Sequence, residues 1–113
     1  MLNNNRDTAT ATIAINASLS GAVDLGGYRL GAIQMPSAWT AAALTFQGSF
    51  DGTTYADLYS SAGTEENYTV STSRTVYVDP TRFDCRFLKV RSGTAGAPVT
   101  QAAARTITLL LVP

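Results

Sequence analysis

Apolar and polar residues alternate over short stretches of this chain, and no stretch has the 3.6-residue spacing of a long amphipathic helix. At the start, Thr8, Thr10 and Thr12 fall on one face of an extended chain, and Ile13 and Ile15 fall on the other. Such alternation is typical of a strand with one buried face. Comparable runs predict further strands, at residues 19–25, 28–35, 41–50, 54–59, 68–71, 74–79, 87–91 and 106–112.

Turn residues separate these runs. Asp51-Gly52 lies between two apolar runs and predicts a hairpin, because both residue types tolerate positive φ. Asp79 followed by Pro80 predicts one helical turn that Asp79 caps. Residues 106–112 are apolar almost throughout, which predicts a central strand. Eight or so short strands with such turns predict an all-β sandwich or barrel.

The length of 113 residues fits one domain. We expect residues 1–7 to form a flexible polar arm and residues 8–113 to form the β-sandwich domain. The arm has no apolar segment behind a charged start, so no secretion signal is expected. The longest apolar stretch, near the C-terminus, is too short to cross a bilayer, so no membrane partner is expected.

Charge is scarce and balanced in this sequence. Eight Lys and Arg residues oppose eight Asp and Glu residues, and the net charge is zero. Nucleic-acid binding, which relies on basic residues, is therefore not expected. Charged residues make up 14% of the chain, against about 25% in typical domains. Ala, Thr, Ser and Gly supply 51 residues. Because charge is depleted at interface centres, this composition suits a protein covered by neighbours.

Residues able to carry out chemistry are few. The chain has no histidine, which excludes Ser-His-Asp and Cys-His catalysis and His-ligated zinc. Its one cysteine, Cys85, is interpreted as a small buried apolar residue. Asp51 and Asp57 could be the acid and base of a glycosidase. The favoured interpretation is that Asp51 is a turn residue and Asp57 is a solvated residue at a strand end. Glu65 and Glu66 are similarly interpreted as solvated. We expect no enzyme, no cofactor and no metal.

Aromatic residues offer a different kind of site. Trp39, Phe50, Tyr55 and Tyr59 fall around one pair of predicted loops. If buried they belong to the core, which is favoured for Trp39 and Phe50. If exposed they could stack on sugar rings or form a protein interface, because Trp and Tyr carry a large contact area with a polar tip.

Two blocks carry a resemblance to known families. Residues 49–58 read S-x-D-G-x-x-Y-x-D-L, and residues 86–91 read R-F-L-K-V-R. Together they resemble the discoidin or galactose-binding-like jelly roll. Residues 18–112 also resemble small structural proteins of tailed bacteriophages, several of which are capsid cement or decoration proteins. Secreted discoidin domains usually have a terminal disulfide, which a single cysteine cannot form.

The phage resemblance implies a non-enzymatic virion protein, made in the bacterial cytoplasm, on the capsid surface. Its partner would be the major capsid protein, whose shell it would bind on the outer face and stabilise, itself as a dimer or trimer. The contacts expected are Asn3, Asn4, Asn5 and Arg6 of the arm, with Trp39, Tyr55 and Tyr59. The alternative is a carbohydrate-binding module, or a tail or head-fibre component, in which the same three aromatic residues contact sugar.

Overall fold

Two antiparallel four-stranded sheets pack face to face as a β-sandwich. The structure is a computed structural model and describes residues 6–113. Its strands are β1 (Asp7–Ile13), β2 (Val23–Asp24), β3 (Arg29–Gln34), β4 (Leu44–Ser49), β5 (Ala56–Asp57), β6 (Thr75–Tyr77), β7 (Phe87–Ser92) and β8 (Arg105–Val112), with a 3-10 turn at Pro80–Arg82. The all-β prediction is confirmed.

The strand order shows how the chain is wound. The first sheet runs β1-β8-β3-β6 and the second runs β2-β7-β4-β5. The pairs are nested: β1 pairs with β8, β2 with β7, β3 with β6, and β4 with β5. The chain is therefore one long hairpin folded over itself, the kind of connection expected in a double-sheet jelly roll. The jelly-roll assignment and its galactose-binding-like subclass stay predictions.

The alternation predicted for β1 is present with one exception. Thr8, Thr10 and Thr12 are exposed, whereas Ile13 is fully buried. The strand begins at Asp7, one residue before the predicted domain boundary. The prediction that Ile15 shares the buried face is wrong, since Ile15 is 58% exposed. The strand ends at Ile13, and the positive φ of Asn16 turns the chain away from the sheet.

Two predicted strands are shorter than expected, and two other predictions are confirmed. The strand predicted for residues 19–25 is reduced to Val23–Asp24, and residues 68–71 form only an isolated bridge between Tyr68 and Leu44. Strand β8 lies between β1 and β3, as its apolar sequence predicted. Asp79 caps the helical turn through a 3.1 Å bond from the Thr81 amide, which confirms that prediction.

An aromatic cluster fills the core beside the helical turn. The rings of Phe46 and Phe83, both fully buried, meet edge to face at 4.9 Å between centroids. Tyr68 adds edge contacts to both at about 6 Å. Such aromatic pairs stabilise a core beyond the area that they bury. The cluster joins β4, which carries Phe46, to the irregular segments that hold the other two rings.

The long loop between β7 and β8 is fastened by polar contacts. Gln101 is fully buried; its amide nitrogen donates to Ser92 Oγ at 2.7 Å, and its amide oxygen accepts from Thr40 N at 2.8 Å. At the start of the loop, Gly93 has φ +89, and a Cβ there would lie 2.5 Å from the Ala97 carbonyl oxygen. Only glycine fits this position, because L-residues disfavour this φ and backbone blocks the space.

Candidate functional site

The hairpin at Asp51-Gly52 forms as predicted, between β4 and β5. Asp51 Oδ1 accepts hydrogen bonds from the amides of Thr53 and Thr54, each at 2.9 Å. These amides lower the pKa of Asp51. Gly52 has φ +81, which the turn requires. Asp51 is therefore the residue that shapes this loop, in agreement with the favoured interpretation.

This turn directs Phe50 outward. Phe50 is 88% exposed, so its prediction as a core residue is wrong. The strand ends at Ser49, whose hydroxyl bonds Asp51 and Gly52, so Phe50 lies in the turn rather than in the ladder. Leaving a phenylalanine ring in water forgoes about 1.5–3 kcal/mol of burial. Phe50 is therefore a candidate contact residue.

Phe50 borders an open cleft of about 480 Å³ at one end of the sandwich, named here the Phe50–Tyr59 cleft. Tyr59 is 54% exposed on it. Ten residues line it: Phe50, Leu58, Tyr59, Ser60, Ser61, Asp79, Thr81, Arg82, Asp84 and Cys85. Two exposed rings beside hydroxyl, carboxylate and guanidinium groups could bind a polar ligand with apolar faces.

Arg82, which lines this cleft, forms an ion pair with the buried carboxylate of Glu66. Its Nη1 lies 2.9 Å from Glu66 Oε2, and the Glu66 side chain is only 7% exposed. Glu66 Oε1 also accepts a 3.0 Å hydrogen bond from the hydroxyl of Tyr68. Burial and this bond raise the pKa of Tyr68 to about 12. The interpretation of Glu66 as a solvated residue is therefore wrong, because Arg82 and Tyr68 compensate its burial.

A second buried network centres on Arg91. The residue is 6% exposed, and its guanidinium donates to Asp57 Oδ1 at 2.8 Å and Glu65 Oε2 at 3.0 Å. Its Nε donates to Thr45 Oγ1 at 2.9 Å. Asp57 is exposed at the end of β5, in agreement with the favoured interpretation. Glu65 is only 16% exposed, so the interpretation of Glu65 as a solvated residue is wrong. This Arg91 network joins β7 to β4, β5 and the loop that follows β5.

Asp51 and Asp57, considered as a glycosidase pair, have lowered pKa values, which is the wrong direction for a general acid. Hydrogen bonds from Arg91 lower the pKa of Asp57, and turn amides lower that of Asp51. A general acid at neutral pH needs a raised pKa, usually from burial in apolar surroundings. Both groups stabilise local structure, which leaves this pair without the tuning that acid catalysis requires.

The predicted aromatic cluster is divided between separate places. Trp39 precedes β4 and Phe50 follows it, so about 20 Å of strand separates them. Trp39 is half-buried against the core, and its Nε1 donates to the Ala42 carbonyl at 3.1 Å. The ring of Tyr55 lies beneath Lys89 Nζ at 4.3 Å from its centroid. Only Phe50 and Tyr59 share the cleft.

The remaining predicted residues are placed as follows. Asn3, Asn4 and Asn5 lie outside the described residues, whereas Arg6 is described and exposed. Cys85 is half-buried rather than fully buried, and burial raises the pKa of its thiol. Within residues 6–113, no group of three or more Cys, Asp or Glu side chains could hold a metal ion. The same residues include no helix with the length and hydropathy needed to cross a lipid bilayer.

A surface that the sequence analysis did not single out is the outer face of the first sheet, named here the threonine face. Two adjacent rows cross its four strands without a charged side chain. The rows are Thr8, Leu110, Ala32 and Tyr77, and Thr10, Thr108, Gln34 and Thr75. A depression of about 200 Å³ lies on it, and Tyr77 is 78% exposed. The alternating threonines of β1 were the available signal.

Comparison with known proteins relates this fold to a phage-derived one. No protein-family model matches the chain, and no curated protein matches it. Among solved structures, it is similar to the SPBc2 prophage-derived protein YomS, with a TM-score of 0.59 over 100% of this chain and 99% of that one. Sequence identity is 13%, so the similarity concerns the fold. The chain thus has the β-sandwich fold of a prophage-derived protein.

Proposed function

We propose that the protein is a non-enzymatic structural component of a virion, a cement or decoration protein that binds the outer face of the major capsid protein shell. The threonine face carries this proposal. It presents two rows of uncharged side chains, one of which ends in an exposed tyrosine on β6. The fold shared with a prophage-derived protein supports it, as does the neutral composition.

The chemistry of the threonine face fits a protein partner. Charge is depleted and tyrosine is enriched at the centres of protein interfaces. Threonine hydroxyls can bond a partner's backbone without the desolvation cost of an ion. A single small face of this kind binds weakly alone, but a repeating lattice multiplies weak contacts when copies are linked. Stabilisation of the shell would follow from surface buried across neighbouring capsid subunits.

The substitution Tyr77→Ala tests this surface. We expect it to weaken binding to capsid-sized particles at least about fivefold, because truncating a tyrosine that carries interface binding energy costs more than about 1 kcal/mol. The measurement is sucrose-gradient sedimentation of particles from the source lysate with an immunoblot for the protein. Tyr59→Ala, an exposed tyrosine at the cleft, is the matched control and should sediment like the wild type.

Two results would contradict the proposal. Wild-type protein found only at the top of the gradient would exclude stable decoration. Unchanged sedimentation of Tyr77→Ala would show that a surface other than the threonine face contacts the capsid.

The Phe50–Tyr59 cleft favours a second candidate function, carbohydrate binding by a module or a tail or head-fibre component. Exposed rings stack on sugar faces, and the neighbouring Asp79 and Arg82 can bond hydroxyl groups. Tyr59→Ala should then abolish binding on a glycan array that Tyr77→Ala retains. Trp39 fluorescence is unsuitable here, because Trp39 lies beyond the opposite end of β4. An array without wild-type binding would exclude this candidate.

A further inference from the structure

The four edge strands of the sandwich differ sharply in length. The second sheet ends in β2 and β5, of two residues each, and the first sheet ends on one side in β6, of three residues. Its other edge is β1, of seven residues. Natural sheets keep exposed edges short, because unpaired backbone groups recruit another strand. Strand β1 departs from this rule, which the other three edges follow.

After its first residue, Asp7, strand β1 also lacks the other devices that protect an edge. From Thr8 to Ile13 it has no charged residue and no proline. Its register with β8 runs without a bulge from Asp7 to Ile13. Within residues 6–113, no other strand pairs with its outer side. Six consecutive uncharged residues in unbroken register form an edge that suits strand addition.

The sequence of β1 is complementary to itself. Residues 8–12 read T-A-T-A-T, which is the same in both directions. An antiparallel pair centred on Thr10 places Thr8 opposite Thr12 and Ala9 opposite Ala11. The threonines then share the exposed face and the alanines share the core side, so residues 8–12 match their copy on both faces. Asp7 lies opposite Ile13 at each end of this matched segment. A two-fold axis requires this property, because one patch must fit its own copy.

We propose that β1 pairs with β1 of a second copy, in antiparallel register about a two-fold axis at Thr10. The two first sheets become one continuous sheet of eight strands, and the two threonine faces become one surface. The partner is thus a second copy of this chain. The pairing extends the oligomer expected for a decoration protein, but it does not require capsid binding.

The substitution Thr10→Lys tests the two-fold axis. Directly opposite residues have Cβ atoms about 4.5–5.5 Å apart, so two lysines would repel each other only in the dimer. Thr10 is exposed, and the single copy should therefore accept lysine. We expect a wild-type dimer in sedimentation-velocity centrifugation and an affinity at least about tenfold weaker in Thr10→Lys. Far-UV circular dichroism checks the fold.

Two companion variants separate edge pairing from other contacts. Thr75→Lys is the matched control, because Thr75 is exposed in the same row at the opposite edge, on β6. It should remain dimeric. Thr10→Glu alone should dissociate, whereas an equimolar mixture of Thr10→Glu and Thr10→Lys should form a mixed dimer.

Several outcomes would overturn the proposal. These are a monomeric or trimeric wild type, a Thr10→Lys variant that dimerises like the wild type, or equal dissociation of Thr75→Lys, which would indicate stacking of sheet faces. All experiments use the purified protein without particles. Failure of dimerisation and failure of capsid binding are therefore separate results.

Discussion

Arg91→Met should lose about 3–5 kcal/mol of unfolding free energy, the loss typical of breaking a buried ion pair from one side. Methionine fills a similar volume but leaves Asp57 and Glu65 without their partner, and Glu65 is only 16% exposed. Thr45 also loses the Nε donor. Urea or guanidinium unfolding followed by circular dichroism measures the change.

Arg86→Met is the matched control for this variant. Arg86 pairs with Asp24 through two hydrogen bonds, but both side chains are about half exposed. Its loss should be much smaller, since water replaces exposed partners. A triple variant, Arg91→Met with Asp57→Asn and Glu65→Gln, should recover part of the stability by removing the orphaned charges. Equal losses in Arg91→Met and Arg86→Met would contradict a special role for burial.

The stabilisation by the Arg91–Asp57 pair should decrease at low pH. Arg91 lowers the pKa of Asp57 in the folded protein below the ordinary value of 3.8. The stabilisation by this pair is therefore complete above that value and is lost as the pH falls through the folded pKa. Without Arg91 this loss should shrink. The stability difference between wild type and Arg91→Met should narrow below about pH 4.

Phe46→Ala should cost a comparable 3–5 kcal/mol, because it leaves a cavity where a fully buried ring stood. The ring touches both other members of the aromatic cluster, with centroids 4.9 Å from Phe83 and 5.9 Å from Tyr68. A domain of this size gains only about 5–15 kcal/mol on folding, so the loss is a large share. Thermal and denaturant unfolding measure it.

Phe50→Ala is the matched control, four residues along the same hairpin. Its ring is 88% exposed, so the free energy of unfolding should change by less than about 0.5 kcal/mol. Phe46→Leu should lose less than Phe46→Ala, since leucine fills more of the space. If Phe50→Ala destabilised the protein as much as Phe46→Ala, the assignment of Phe50 to the surface would be wrong.

Sequence reasoning succeeded where neighbouring residues decide the structure. The alternation in β1, the Asp51-Gly52 turn and the cap at Asp79 depend on residues within a few positions of one another. The central place of β8 followed from its composition, because a strand flanked on both sides is mostly apolar.

Features that depend on contacts between distant segments could not be predicted from the sequence. Arg91 meets Asp57, Glu65 and Thr45 across separations of 34, 26 and 46 residues, and no local pattern marks such a meeting. Four aromatic residues close in sequence were expected to share a site, but β4 carries the chain from one end of the sandwich to the other. The cleft and the threonine face depend on sheet order.

The nested pairing of strands also has a consequence for the rate of folding. Strand β8 is the central partner of β1 and β3. The first sheet therefore cannot be completed until residues 105–112 are available. Each such contact must close a long loop before it contributes any stability. All-β domains dominated by contacts between distant residues fold in roughly milliseconds to seconds. Until β8 is synthesised, β1 and β3 have no central strand to join them. Completion of the sheet should therefore follow synthesis of β8, and a chain stalled before residue 105 should expose both strands to aggregation.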